Sequence, residues 1–427
     1  MRILQSTTIA SCISAVTLTA ALAAASYTEY SPRPQIAARQ PIVVVSIPST
    51  ALPKIPLVAP QIAISAATPL SNSTTAPGRA LIESVSISGG GLGAVIGKMR
   101  PHQIGPFNNG KPANGATWFG ASIGDGKHNG SGWPKTSDMQ GMIDLGVKTI
   151  RLPIAPRYCL NANGSLNIWV VNALAENIKF NMMRGVSTVL DAHTYLPFTD
   201  PAVARFWSVF APAIEKAIGG ATPLFGIELA NEPGKSSKDT TLWTEPLRKT
   251  IKDIREAGYG GYIFAGAGDW NNMTFLPNAL AEVERTGGVI AMDPYNLTIY
   301  TGHDYWNKDN DPGKTRNDQG FAVDGNIDIA RRYDRALIVA RRIGAKVVMS
   351  EIGGGISPNG PLPAFNGIGK NGQQIQEEYF AYAKANEDVL IGTWFWMAGK
   401  TNVDYRHKIE AGNAHTKSLQ RFWKSRS

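Results

Sequence analysis

Between residues 115 and 425, short apolar runs alternate with amphipathic helical patterns, and this alternation restricts the possible folds more than any other feature of the chain. Most intervals between the runs hold a helical pattern, such as TSDMQGMIDLG or PAVARFWSVFAPAIEKAIGG. Several of these patterns end at glycine, the usual helix stop. Eight strands that alternate with helices predict a TIM (β/α)8 barrel. The predicted strands lie near residues 116–121, 148–154, 186–193, 224–230, 262–267, 297–303, 346–351 and 391–396.

An open, doubly wound parallel sheet is the alternative fold that the same alternation allows. That fold needs a glycine-rich phosphate-binding turn with G-x-G-x-x-G spacing after its first strand. The segment GASIGDG, which follows the first apolar run, lacks this spacing. The barrel therefore remains the predicted fold, and we assign residues 101–427 to it as a catalytic domain.

The first 100 residues differ from the rest in composition. Residues 1–25 combine a basic start, a diluted apolar run and small residues near the end, which is the pattern of a signal peptide. Residues 26–100 are rich in Pro, Ala, Ser and Thr, and the recurring prolines predict a low-complexity linker, mostly extended or disordered. We expect a secreted or periplasmic protein, tethered to a membrane if the signal is uncleaved. The mature chain should contain no membrane span, since no other segment approaches about 20 uninterrupted apolar residues.

The chain of 427 residues is basic, with a formal net charge of +9. Its densest basic segment, ARRYDRALIVARR, predicts a helix with a solvated basic face, because no patch of interleaved aromatic and basic residues accompanies it. We therefore expect no nucleic-acid partner, and we expect a monomer. Of the two cysteines, Cys12 lies in the predicted signal, which leaves Cys159 as a single, buried thiol and excludes a disulfide framework.

Polar and aromatic side chains follow the predicted strands, and barrel enzymes carry their catalytic groups at the C-terminal ends of strands. In FGIELANEPGK, which begins at Phe225, the Pro-Gly pair predicts a strand stop that leaves Glu232 at the barrel mouth. The residues at or near the strand ends are Arg151 (second), His193 (third), Asn231 and Glu232 (fourth), Trp270 (fifth), His303, Tyr305 and Trp306 (sixth), Glu351 (seventh), and Trp394 and Trp396 (eighth).

Two carboxylates at strand ends, without a nucleophilic Ser or Cys motif, favour acid/base chemistry between Glu232 and Glu351. Hydrolysis of a glycosidic bond requires a carboxylic acid that protonates the leaving oxygen. A retaining enzyme also requires a carboxylate that attacks the anomeric carbon, with the two carboxyl groups about 5–5.5 Å apart. Arg151 would hold one glutamate ionised, and Tyr305 would add a second donor. Tryptophans such as Trp270 would stack on pyranose rings, although Trp270 and Trp394 also fit ordinary packing.

Seven motifs occur in a fixed order over almost the whole predicted barrel: TIRLP, LDAH, ELANEP, GAGDW, NLTIYTGHDYWNKDNDPG, MSEIGGG and WFWMAG. Together they resemble glycoside hydrolase family 5, in its cellulase branch. The resemblance implies that Glu232 is the general acid/base and Glu351 the nucleophile. It also implies that Arg151 and Tyr305 surround the nucleophile and that Asn231 lies near the sugar 2-hydroxyl. The remaining substrate contacts that it implies are His193, His303 and, as the aromatic floor of the cleavage subsite, Trp396.

The sequence departs from the family pattern at positions that shape the subsites. Thr194 stands where the family often has Asn, and Gly234 where it often has His. The seventh-strand motif contains EIGG instead of EFG, and Trp306 and Asn307 separate the H-x-Y motif from the loop that follows. None of these changes removes a predicted catalytic group, but they leave the choice of polymer open.

These patterns together predict a retaining endo-β-1,4-glucanase that acts on β-1,4-glucan polysaccharides or oligosaccharides. We expect no cofactor and no metal, because the DNDPG loop lacks the glycine and glutamate that an EF-hand needs at its sixth and twelfth positions. A β-mannanase or a mixed-linkage β-glucanase with the same catalytic residues is the first alternative. A polysaccharide-binding barrel without activity is the second.

Overall fold

A computed structural model describes residues 114–118, 134–161, 163–233, 241–308, 322–399 and 406–425. The predicted signal peptide (1–25) and linker (26–100) lie outside the described residues, and so do Gly234 and the DNDPG segment. Within the described part of the chain, no helix has both the length and the apolar character needed to cross a membrane.

Eight parallel strands form a closed barrel in which strands that follow each other in the chain are neighbours in space, and the last strand pairs with the first. Each strand overlaps one of the eight predicted apolar runs, so the prediction of a TIM barrel is confirmed. The strands are β1 (Gly115–Trp118), β2 (Thr149–Ile154), β3 (Ser187–Ala192), β4 (Phe225–Glu228), β5 (Tyr262–Gly266), β6 (Thr298–Tyr305), β7 (Val347–Gly353) and β8 (Leu390–Ala398).

A helix follows each strand and lies outside the barrel. Short elements complete the fold, among them the one-turn helices Pro156–Cys159, Gly268–Asn271 and Gly288–Met292 and two small antiparallel ribbons. The main helices are α1 (Thr136–Asp144), α2 (Ile168–Met182), α3 (Pro201–Ile218), α4 (Thr241–Glu256), α5 (Leu276–Arg285), α6 (Ile329–Ile343), α7 (Gly372–Ala385) and α8 (Ala414–Ser425).

Local sequence explains where the longer helices begin and end. The Asp200 carboxylate accepts a hydrogen bond from the backbone N–H of Ala202 at the start of α3, and Pro201 occupies the first turn, where its missing N–H costs nothing. The helix stops at Gly219, whose φ of 100° is accessible mainly to glycine. The start of α6 is capped by Asp328 in the same way.

Side chains alternate between the inside of the barrel and the layer under the helices. Leu190, Ile227 and Ile263 belong to the large apolar core that includes the inner faces of the helices. Phe264 and Trp394 belong to a smaller apolar cluster formed mainly by strand residues. Trp394 is fully buried there, 5.1 Å from the Phe264 ring centroid, so it packs the barrel and is not available to a sugar.

The basic segment forms helix α6, as predicted, but three of its arginines pair with acidic residues of neighbouring elements. Arg332 lies 2.5 Å from Asp304, while Arg341 and Arg342 pair with Asp388 and Glu284 on the surface. Exposed pairs of this kind contribute little to stability, because water and salt screen them. Cys159 is buried, as expected, and its thiol is free.

Two fully buried histidines lie near the start of α8. The ring centroids of His407 and His415 are 6.0 Å apart, and Nδ1 of His407 lies 3.1 Å from the carbonyl oxygen of Ile356. Neither ring nitrogen of His415 has a hydrogen-bond partner among the described residues. Burial lowers the pKa of His407 to about 4 and that of His415 to about 3, so both rings are neutral at neutral pH.

The His415→Phe variant is expected to lose less stability than the wild type when the pH falls. The folded-state pKa of His415 is about 3, below the unfolded value of about 6.5, so the unfolded chain binds the proton first. Its contribution to stability is complete above pH ~6.5 and decreases below it, by about 2 kcal/mol between pH 7.5 and pH 5. Urea denaturation at these two pH values measures the free energy of unfolding.

The His415→Gln variant is the control, because glutamine is polar but does not titrate in this range. It should remove the same pH-dependent loss while lowering stability at both pH values through its buried amide. Equal losses in the wild type and in both variants would show that His415 does not titrate on unfolding.

Candidate active site

Arg151 lies in the middle of β2 and not at its end, where the sequence had placed it, since the strand continues to Ile154. Its neighbours Ile150 and Leu152 belong to the core under the helices, so the arginine side chain points into the barrel. It is fully buried. Isolated buried charges are costly, so a guanidinium at this position requires anionic partners.

Three carboxyl groups and one amide, from three other strand regions, contact the guanidinium. Nε donates to Oε2 of Glu228 at 2.5 Å, Nη2 donates to Oδ1 of Asn231 at 2.7 Å, and Nη1 donates to Oε2 of Glu351 at 3.1 Å. Oδ2 of Asp191 lies 3.1 Å from Nη2. Burial lowers the pKa of Arg151, but the three carboxylates raise it above its ordinary value, so the guanidinium stays protonated.

Sequence analysis missed Asp191 and Glu228 as members of this network. Asp191 follows Val189 by two residues, and Glu228 pairs with Asp191 across β3 and β4, so both carboxylates point into the barrel. Both are fully buried. The available signal was the alternation of each strand combined with the need of a buried arginine for carboxylate partners.

Glu351 accepts two charge-stabilising hydrogen bonds. The Tyr305 hydroxyl donates to Oε1 at 2.5 Å, and Arg151 donates to Oε2 at 3.1 Å. A register shift between Gly302 and the next residue brings the end of β6 beside Glu351. A side chain at Gly353 would place its Cβ 2.8 Å from the Tyr305 ring, so glycine is required where Tyr305 approaches β7. Donors of this kind stabilise the ionised form of a carboxylate.

Glu232 stands beyond the end of β4, which stops at Glu228 and therefore before Pro233 and Gly234. The prediction that Pro-Gly ends the strand is wrong. The backbone instead continues to hydrogen-bond both neighbouring strands, since Leu229 N donates to Phe264 O and Asn231 N donates to Ala192 O, each at 3.0 Å. Glu232 thus starts from an anchored backbone, and its side chain is 19% exposed, enough to reach a substrate.

A neutral imidazole lies beside the Glu232 carboxyl. Nδ1 of His303 lies 3.2 Å from Oε1 of Glu232, and Nε2 lies 3.1 Å from the Ser350 hydroxyl. Burial lowers the pKa of His303 to about 4, and the positive charge of Arg151 lowers it too, against the raising effect of Glu351. The two glutamates therefore differ in surroundings: cation and phenol around Glu351, neutral ring beside Glu232.

Glu232, His303 and Glu351 offer ligand atoms that lie within 4.8 Å of one another, an arrangement that could also hold a metal ion. Both Glu351 oxygens, however, already accept hydrogen bonds from Tyr305 and Arg151. The adjacent guanidinium also repels a cation. The donor set fits acid/base chemistry between two carboxyl groups better than it fits a metal site.

An aromatic surface adjoins the carboxyl pair. Trp396 stacks on His193 with ring centroids 5.7 Å apart and an interplanar angle of 11°. Nδ1 of His193 lies 2.8 Å from Oδ2 of Asp191, which orients the ring. Sequence analysis did not single out Tyr195. Its ring centroid lies 6.1 Å from that of His193 and 5.7 Å from that of Trp270. Tyr195 is half exposed and Trp270 is 39% exposed, so both rings remain accessible.

A strained turn positions Trp270. Asp269, Trp270 and Asn271 all have positive φ values, 57°, 61° and 57°, which cost residues other than glycine roughly 1–2 kcal/mol each. The Asn271 amide stabilises the turn by accepting from the backbone N–H of Ala267 and by donating to the Thr301 hydroxyl, each at 3.0 Å. Strain that persists in this way is typical of functional sites.

The structure thus brings the nine predicted site residues into one region, eight of them near the C-terminal ends of the strands and Arg151 deeper, in the middle of β2. Arg151, Asn231, Tyr305 and Glu351 form one hydrogen-bonded group, with Glu232 and His303 beside it. The other three belong to the aromatic surface: His193, Trp270 and Trp396.

Comparison with known proteins identifies the family of this chain. The family model of cellulase (glycosyl hydrolase family 5) matches residues 108–400, which is more than half of the chain. The endoglucanase gh5-1 of Neurospora crassa is 25% identical over 322 residues, which cover 70% of this chain and 74% of that protein.

Solved structures share the fold at low sequence identity. XacCel5A in complex with cellopentaose has a TM-score of 0.58 and 19% identity, and the match covers 73% of this chain and 99% of that chain. The catalytic domain of a mannanase from Streptomyces sp. SirexAA-E has a TM-score of 0.51 and 16% identity, with 82% and 97% covered. At these identities the likeness shows the fold alone. The family model, by contrast, establishes that this chain belongs to glycosyl hydrolase family 5 and is a glycoside hydrolase.

Proposed function

We propose that the protein is a retaining endo-β-1,4-glucanase in which Glu351 is the nucleophile and Glu232 the general acid/base. The observation that carries this proposal is the unequal environment of the two glutamates. Arg151 and Tyr305 donate to Glu351 and favour its anion, whereas the neutral ring of His303 lies beside Glu232. Unequal surroundings of this kind assign one carboxyl group of a pair to each role.

In the first step, Glu351 attacks the anomeric carbon while Glu232 gives its proton to the departing glycosidic oxygen. A covalent glycosyl-enzyme forms, and the shortened chain leaves as an alcohol. In the second step, Glu232 removes a proton from water, the water oxygen bonds to the anomeric carbon, and Glu351 is released as a carboxylate. Oxygens of the two glutamates lie within 4.8 Å, which supports the spacing of about 5–5.5 Å between carboxyl groups in retaining enzymes.

The residues around this pair would bind the sugar. Because Oδ1 of Asn231 accepts from Arg151, its amide NH₂ is the group that Asn231 offers to a sugar hydroxyl. Trp396, held by stacking on His193, would form the apolar floor under the ring at the cleavage point. His303 would complete the wall beside Glu232.

A β-1,4-glucan is the proposed substrate. The curated relative is an endoglucanase, and one of the structural neighbours was solved with cellopentaose. A mannanase also shares the fold, which makes β-mannan the second candidate. We further propose that residues 1–25 direct export and that residues 26–100 link this signal to a monomeric catalytic domain.

A substrate panel tests the proposal. We expect cleavage of carboxymethylcellulose, with a rapid fall in viscosity and release of short cello-oligosaccharides, and slower or no cleavage of mannan. Lichenan cleavage products distinguish a strict β-1,4 enzyme from a mixed-linkage one. Faster turnover of mannan than of any glucan would replace the glucanase by a mannanase, and tight binding without turnover would favour a polysaccharide-binding barrel.

The Glu232→Gln and Glu351→Gln variants should fold but lose almost all activity on cello-oligosaccharides. Loss of a general acid/base costs about 10²–10⁴-fold in rate. An aryl cellobioside with a good leaving group needs little protonation, so the Glu232 variant should keep its first step on that substrate and release the aryl group in a burst. The Glu377→Gln variant, in a surface glutamate that hydrogen-bonds to Gln373, is the matched control and should remain fully active.

Azide distinguishes the two roles. It should rescue the Glu232→Ala variant by attacking the glycosyl-enzyme, which yields a β-glycosyl azide after two inversions. With Glu351→Ala it should attack the substrate directly and yield the α-glycosyl azide. The reverse pattern of products would exchange the assigned roles, and rescue of neither variant would refute the two-step mechanism.

Tyr195 and Trp270 follow β3 and β5, the strands on either side of β4, so their rings lie on the side of Glu232. This is where the leaving group would depart. The Trp270→Ala variant should raise KM for cellopentaose by about 5- to 10-fold, because an aromatic stacking contact contributes about 1 kcal/mol. Hydrolysis of an aryl cellobioside should change little. The Ile338→Ala variant, which removes an exposed apolar side chain on α6, is the control and should leave both substrates unaffected.

A further inference from the structure

We propose that Asp191 and Glu228 form a carboxyl pair that holds one proton in mildly acidic solution, and that this proton, carried by Glu228, keeps the Arg151 guanidinium available to Glu351. Glu228 is then a positioning residue that acts through Arg151. The inference rests on the proposed function only in the role given to Glu351, and the proton itself is independent of catalysis.

The pairing of β3 with β4 brings the carboxyl groups of Asp191 and Glu228 close together. Asp191 and Glu228 are paired residues of adjacent strands, and both side chains point inward to the same guanidinium. Neighbouring strands of a sheet lie about 4.7–4.9 Å apart, so paired residues on one face are close together. Both groups are fully buried, so water does not screen their repulsion. Two carboxylates this close in a dry site do not both ionise readily.

One oxygen of each carboxyl group could carry a proton. Each carboxyl uses one oxygen on Arg151, whereas Oδ1 of Asp191 and Oε1 of Glu228 accept no hydrogen bond of normal geometry from a described residue. A carboxylate oxygen that is buried without a donor carries a desolvation penalty, and protonation relieves that penalty. The unpaired oxygens therefore mark the pair as the place where a proton is held.

The balance of charge around Glu228 favours the neutral acid. The groups that act on Glu228 are Arg151 from β2, Asp191 from β3 and Ser350 from β7, and Glu351 from β7 shares Arg151. Two histidines adjoin these groups: Nδ1 of His193 lies 2.8 Å from Oδ2 of Asp191, and the neutral ring of His303 lies beside Ser350. Phe264 from β5 does not titrate. Burial raises the pKa of Glu228 to about 7, with Asp191 adding to the rise, while Arg151 and Ser350 lower it. One cation serves two anions while Glu228 is protonated and three after it ionises.

The consequence for the site follows from competition for Arg151. The bond from Nε to Glu228 is 2.5 Å, and the bond from Nη1 to Glu351 is 3.1 Å, so Glu351 has the longer bond to the shared cation. An ionised Glu228 attracts the guanidinium more strongly than the neutral acid does. Ionisation of Glu228 therefore weakens the support of Glu351, and the proton on Glu228 maintains it.

The test compares the wild type with the Glu228→Gln variant, whose amide oxygen can still accept from Arg151 but which does not titrate. The folded pKa of Glu228, about 7, lies above its unfolded value, so its contribution to stability is complete below pH ~4.5 and decreases as the pH rises to 7. Between pH 5.5 and pH 8, the wild-type folding equilibrium constant should fall about 30-fold relative to that of the variant. Urea denaturation of the full chain measures this ratio.

The Asp191→Asn variant is the second probe, because it removes the partner of the pair and should reduce the same pH-dependent difference. If the wild type and Glu228→Gln respond equally to pH, the shared proton is refuted, whatever the activity of either protein. The kcat/KM of the wild type should also fall relative to that of Glu228→Gln as the pH rises through ~7. Parallel pH profiles of kcat/KM would refute the link from Glu228 through Arg151 to Glu351.

Discussion

The buried guanidinium of Arg151 is the interaction on which the rest of the site depends. Its position in the middle of a barrel strand removes it from water, so its charge has to be balanced inside the protein. Its carboxyl partners are Asp191, Glu228 and Glu351, which belong to three different strands. One side chain therefore ties the upper layer of the barrel to the proposed nucleophile. Removing a single partner from such a network leaves an uncompensated charge, which is far more costly than losing a surface ion pair.

The same network accounts for the difference between the two glutamates. Glu351 lies between a cation and a phenol, whereas Glu232 lies on a separately anchored segment beside an imidazole that burial keeps neutral. Barrel geometry produces this difference with little local specialisation, because β2 and β6 aim Arg151 and Tyr305 at the end of β7. Two chemically identical side chains thus acquire different surroundings from the strands around them.

The aromatic residues extend the site outwards from Glu232 and Glu351. Trp396 and His193 stack at its centre, and Tyr195 links them to Trp270 at the more exposed end. The left-handed turn that carries Trp270 is an unfavourable backbone conformation, stabilised by the side chain of Asn271. The close approach at Gly266, where a Cβ would lie 2.6 Å from the Asn271 side chain, shows how little space this support has.

The sequence by itself determined the eight strands, most of the helices and the presence of Glu232 and Glu351 near strand ends, because periodicity and helix stops depend on residues close in the chain. The tertiary structure alone decided that Arg151 lies inside the barrel and that Asp191 and Glu228 surround it. It also decided that Trp394 packs inside the barrel and that Tyr195 belongs to the aromatic surface. It also showed that β4 ends at Glu228 and that backbone bonds to both neighbouring strands, not Pro233, carry the chain to Glu232. The physical reason is distance along the chain. Arg151 and Glu351 are 200 residues apart, and burial, charge balance and pKa arise only where folding brings such residues together.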